Sequence, residues 1–130
     1  MPAPRLPIAL VAAILALAAA PRDAAAAPAD CERALALAAT VVDDGQRAFA
    51  GRTQYESTMW AQEARIPAID AARAAQACGC RDAIPFLADA AEASARSSAT
   101  ANITAGQQYG ATIRKHGEAA IAALRDCAPR

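Results

Sequence analysis

An all-α fold is predicted: an up-down-up-down four-helix bundle made of two helical hairpins, stapled by two disulfides at one pole, after a cleaved signal peptide. Three observations on the 130-residue chain carry this. Helix-forming residues dominate from Asp30 to Cys127, and no alternating strand pattern competes. Cys31 and Cys78 are 47 residues apart, and Cys80 and Cys127 are again 47 apart. The chain opens with Arg5, an apolar run from Ile8 to Ala20 and the small-residue segment Ala24–Ala27, the pattern of a secretory leader.

The leader is expected to cover residues 1–26, with the cut after Ala26, where Ala24 and Ala26 give the A-x-A spacing. Its apolar run is shorter than the roughly 20 residues a membrane span needs. The remaining residues, 27–130, form one domain, too short for two independently packed cores. Export is therefore expected, to a bacterial periplasm or beyond.

Asp30 is a suitable N-cap for a first helix running through Leu35, Ala38, Val41, Val42 and Phe49 to Gly51. Thr53 with Glu56 forms a capping-box pattern for a second helix, carrying Tyr55, Met59, Ile66 and Ile69 and reaching Cys78. Pro67 sits inside it and should kink or split it, because proline removes a backbone donor and its ring clashes with the preceding turn. Gly79 makes a short turn. A third helix follows from about Arg81, with Pro85 tolerated in its first turn and Ile84, Leu87, Ala88 and Ala91 on one face. Beyond Ser94 the residues Ser97, Ser98, Thr100, Asn102 and Thr104 are weak helix formers, and the helix should fray or end early. The fourth helix, from about Ala105 to Cys127, places Tyr109, Ile113, Ala120, Ile121 and Leu124 on one stripe, with Gly110 and Gly117 weakening it by up to about 1 kcal/mol each.

In an up-down bundle the start of helix 1, the end of helix 2, the start of helix 3 and the end of helix 4 meet at one pole, so all four cysteines converge there. Of three possible pairings, Cys31–Cys78 with Cys80–Cys127 closes each hairpin between adjacent helices and is favoured. The equal spacings also read as a duplicated hairpin, in which Arg47 matches Arg96 and Trp60 matches Tyr109.

Composition narrows the function. Alanine takes 42 positions and Phe, Tyr and Trp together only five, so the core should be thin. One His, one Lys and no Gly-rich phosphate loop leave no usual means of hydrolysis, nucleotide binding or nucleic-acid recognition, and the chain is expected not to be an enzyme. No haem-attachment sequence occurs, and no cofactor or resident metal is expected. Measured by residue count from the cysteine pole, Phe49, Met59, Trp60 and Tyr109 lie 18 or 19 residues away and Tyr55 slightly further. Bordered by Ser98, Asn102, Gln107 and Gln108, this layer is the candidate contact surface for a protein partner or a small apolar ligand. The leading expectation is thus a small exported binding module. Metal handling or thiol-disulfide chemistry at the four-cysteine pole is the first alternative, and an envelope-associated structural oligomer the second.

Overall fold

The computed structural model describes residues 23–127; the expected leader, up to residue 22, lies outside them. Five α-helices are present among the described residues: α1 (Asp23–Ala50), α2 (Gln54–Glu63), α3 (Arg65–Ala77), α4 (Ile84–Ser97) and α5 (Ile103–Cys127), with a 3₁₀ turn at Arg81–Ala83 leading into α4. They form a helical bundle of four arms, the second arm being α2 and α3 in succession. α1 packs against α3 and α5, and α4 packs against the same two.

Several boundaries follow local chemistry. α1 is already helical at Asp23, on the leader side of the expected cut, so Asp30 lies inside the helix instead of capping it. The alanine run before Asp30 favours continuing the helix. The Thr53 side chain accepts from the Glu56 backbone N–H at 3.1 Å, as a cap should. Glu56 reaches back to the N–H of Arg52 at 3.2 Å, one residue earlier than an ideal capping box. The second arm is split at Ala64, one turn before Pro67, whose missing N–H would have bonded the Glu63 carbonyl. Asn102 caps α5 by accepting from the Ala105 N–H at 2.8 Å.

The core differs from the predicted stripes. Of the expected large apolar residues of the first two arms Val41 is buried, but three sit at the margin: Phe49 is 45 % exposed, Tyr55 78 % and Ile66 64 %. On α4 the buried face is Leu87, Ala90, Ala93, Ser94 and Ser97, rotated from the expected one, and Ala88 is exposed. On α5 Tyr109 and Ile121 are half-buried, and the buried stripe is Gly106, Gly110, Ile113, Gly117, Ala120 and Leu124.

The reason is the size of the facing residues. α1 presents Ala34, Ala38, Val41, Gly45 and Ala48, and the second arm presents Ala61, Ala64, Ala68, Ala71, Ala74 and Ala75. Small faces let backbones approach closely, and a large side chain on that line would hold the helices apart. A Cβ on Gly110 would lie 2.5 Å from the Phe49 backbone nitrogen and 2.8 Å from the Gly45 carbonyl oxygen. One on Gly45 would meet the Arg114 nitrogen at 2.6 Å. Gly110 is therefore a contact between α1 and α5 as well as a weak point in helix propensity.

Buried serines bond backbone carbonyls near the helix ends. Ser57 donates to the Ala48 carbonyl near the end of α1 at 2.8 Å. Ser94 donates across the bundle to the Ala61 carbonyl at 2.6 Å, just before the break at Ala64. Each of these hydroxyls thereby finds a partner inside a thin core.

Both disulfides are as predicted. Cys31 pairs with Cys78 and Cys80 with Cys127, with Cα–Cα distances of 5.3 and 5.7 Å. Gly79 connects the hairpins at φ 82°, a left-handed conformation that glycine adopts without strain. The i,i+4 pairs Asp43–Arg47 and Glu92–Arg96 form at 3.0 and 2.6 Å on the exposed surface. Among the described residues, no helix is long and apolar enough to cross a membrane.

Candidate functional site

Tyr55 and Met59 stand four residues apart on α2, so they share the same outer face of the helix. Opposite them α4 ends at Ser97, because the serine-rich stretch competes for its own backbone: Ser98 donates to the Ala95 carbonyl at 2.8 Å and Thr100 to the Ser97 carbonyl at 2.9 Å. The space between is an open groove of about 740 Å³, lined by Thr53, Gln54, Tyr55, Thr58, Met59, Gln62, Ser98 and Thr100.

Its two walls are tied together. The Gln54 amide donates to the Thr100 carbonyl at 3.1 Å, and the Thr58 and Thr100 hydroxyls are 3.1 Å apart. None of the lining side chains is charged, so the groove offers an aromatic ring, a thioether and a rim of hydroxyl and amide groups. That chemistry suits an uncharged molecule with an apolar body and a few hydrogen-bonding groups.

The other members of the expected contact layer take different sides of the bundle. Trp60 is half-buried, with the Arg47 guanidinium 4.5 Å from its ring centroid. Phe49 lies beneath Arg114 at 5.5 Å. Tyr109 packs against the core and lines a separate groove of about 210 Å³ with Asp89, Glu92, Arg96, Thr112 and His116. Of the expected contact residues, then, Tyr55 and Met59 share one groove, while Phe49, Trp60 and Tyr109 do not line it. Residue counting gives height along a bundle but not position around it.

Sequence reasoning missed Asp44. It is 7 % exposed on α1 beside the break in the second arm, where Thr40, Gln62, Glu63, Ile66 and Pro67 line another groove with it. Burial pushes its carboxyl up from 3.8 to about 6, helped by the negative charges of Asp43 and Glu63 and opposed by Arg47. The sequence signal was the Asp43–Asp44 pair: only Asp43 stands four residues before Arg47, which leaves Asp44 turned inward.

At the opposite pole the two bridges abut. The sulfurs of Cys31, Cys78 and Cys80 all lie within 4.8 Å of one another, and Cys31 Sγ is 3.9 Å from Cys80 Sγ. No family model, curated protein or solved structure matches the chain.

Proposed function

We propose that this chain is a small, exported, non-enzymatic binding module that takes an uncharged, partly apolar ligand or polypeptide segment in the groove beside α2. The observation that carries this is Tyr55, a large aromatic side chain 78 % exposed at the mouth of a groove with no charged lining. Such a ring contributes little to folding where it stands, while an aromatic face with a hydroxyl tip is well suited to contact. Export is supported by the leader pattern in residues 1–26 and by the two disulfides, which belong to oxidising compartments. A non-enzymatic role fits the buried Ser57, Ser94 and Ser97 hydroxyls, each of which donates to a backbone carbonyl.

Nile red, a neutral dye whose emission brightens in apolar surroundings, tests the groove directly. It should bind saturably at one molecule per chain. Tyr55→Ala and Met59→Ala should each weaken that binding by about tenfold, equivalent to about 1.4 kcal/mol, and Tyr109→Ala should leave it unchanged. Absence of saturable binding, or equal weakening by Tyr109→Ala, overturns the assignment.

A further inference from the structure

Asp44 is a carboxylate that the fold buries without a partner. It is 7 % exposed, and what surface it keeps opens onto the groove between α1 and the second arm. Among the described residues no hydrogen bond or ion pair reaches its carboxyl. The neighbours able to pair with it are engaged elsewhere: the Arg47 guanidinium holds Asp43 at 3.0 Å and lies over Trp60, and the Thr40 hydroxyl donates to the Ala36 carbonyl at 3.2 Å. A buried charge left unpaired destabilises the fold, and a cation arriving from the groove removes that cost.

We propose that this groove binds a small organic amine as its ammonium ion, with the charge on Asp44 and the carbon stem along Ile66 and Pro67. The groove holds about 570 Å³, the size of a small-molecule site and far more than a single metal ion fills. Its chemistry is divided in two. Asp44, Glu63, the Gln62 amide and the Thr40 hydroxyl supply oxygen acceptors for the three N–H groups of an ammonium. Ile66, 64 % exposed, and Pro67 supply an apolar wall that a bare ion would leave wet. Gln62 borders both this groove and the one beside α2, whereas Tyr55 and Met59 line only the latter, so the two sites stand or fall separately.

The charge of the site follows Asp44. The charged groups bearing on it are Asp43 and Arg47 of α1 and Glu63 of α2; Ile66 and Pro67 of α3 carry none, and among the described residues none from α4 or α5 lines the groove. Burial, helped by Asp43 and Glu63 and opposed by Arg47, raises the Asp44 carboxyl to about 6, so acid discharges the site between about pH 7.5 and about pH 5. An alkylammonium, titrating near the lysine value of about 10.4, keeps its charge throughout.

The test titrates the oxidised protein with n-hexylammonium chloride at about pH 7.5 and follows the carbon-labelled aspartate carboxyls by NMR. The Asp44 carboxyl resonance, assigned by its loss in Asp44→Asn, should shift to saturation at one molecule per chain. Binding should weaken about tenfold at about pH 5, the fall in the ionised fraction of a carboxyl titrating at about 6. Asp44→Asn should weaken it by more than about tenfold in a protein that circular dichroism shows to be folded, and the pH dependence of the parent reads the same charge without any substitution. Ile66→Ser should weaken binding about fivefold through lost contact with the stem, and Tyr55→Ala should leave it unchanged. No saturable shift, equal binding of n-hexanol, tighter binding of Ca²⁺ or of N-acetyl-lysinamide, or an Asp44→Asn variant with the parent's affinity overturns the proposal.

Discussion

Replacing Gly110 with alanine sets helix propensity against packing, and the two give opposite signs. In a free helix the change is favourable by about 1 kcal/mol, because glycine loses more backbone entropy. In the bundle the new Cβ would lie 2.5 Å from the Phe49 nitrogen, 2.7 Å from the Ala48 Cβ and 2.8 Å from the Gly45 carbonyl oxygen. All three atoms belong to the α1 backbone or are attached directly to it, so no side-chain rotation relieves the clash. Carbon atoms pack at about 3.5 to 4.0 Å, so α1 and α5 must part by about 1 Å along a line that also includes Gly45 and Gly117. Overpacking of this kind costs about 3 kcal/mol, the upper end of its usual range. The net expectation is a loss of about 2 kcal/mol, or about 10 °C in melting temperature for a domain of this size. Urea and thermal unfolding followed by circular dichroism measure it. A Gly110→Ala protein melting at or above the parent would refute the close approach of these two helices.

Two further outcomes follow from the bridges and from Asp44. Replacing Cys31 and Cys78 together by alanine should lower stability by about 4 kcal/mol, the chain-entropy value for a loop of this length, and unchanged unfolding would mean that the bundle does not rely on that staple. The Asp44 carboxyl sits at about 6 in the folded chain against an ordinary 3.8, so the folded state holds that proton more tightly than the unfolded state does. Its destabilising contribution is absent below the lower value, grows as pH rises between the two and is constant above the higher. The full linkage is about 3 kcal/mol; because the carboxyl borders an open groove, about 2 kcal/mol is expected. Asp44→Asn should therefore stabilise the protein at neutral pH and flatten this slope, and an Asp44→Asn variant with the parent's pH dependence would contradict the assignment.

The architecture was legible because its signals are local and periodic. Thr53 with Glu56, Pro67 and the serine-rich stretch after Ser94 each act on the chain within a turn or two, and the equal cysteine spacing of 47 residues ties the ends of each hairpin. The core was less legible, because assigning the largest apolar residue to the buried face fails when facing helices are lined with alanine and glycine. Phe49, Tyr55 and Ile66 then become the exposed residues, and Gly110 becomes a packing contact. The make-up of the candidate groove was legible in part. Tyr55 and Met59 share a helix face by spacing alone, whereas the separation of Trp60 and Tyr109 from them depends on how helices are rotated about their own axes. Asp44 escaped notice because it is a carboxylate on an otherwise apolar helix face, three residues after Val41 and four before Ala48.

Met59 offers the most direct measurement of the binding proposal, because it and Met1 are the chain's two methionines and Met1 belongs to the expected leader. With the methionine methyl carbon labelled, the processed protein should give one methyl resonance, from the groove wall. Titrating with Nile red should shift that resonance to saturation at one equivalent, while the His116 ring signals in the separate groove stay in place. A Met59 methyl that does not move while the dye binds, or His116 signals that shift in its stead, would contradict the assignment of the groove beside α2 as the binding site.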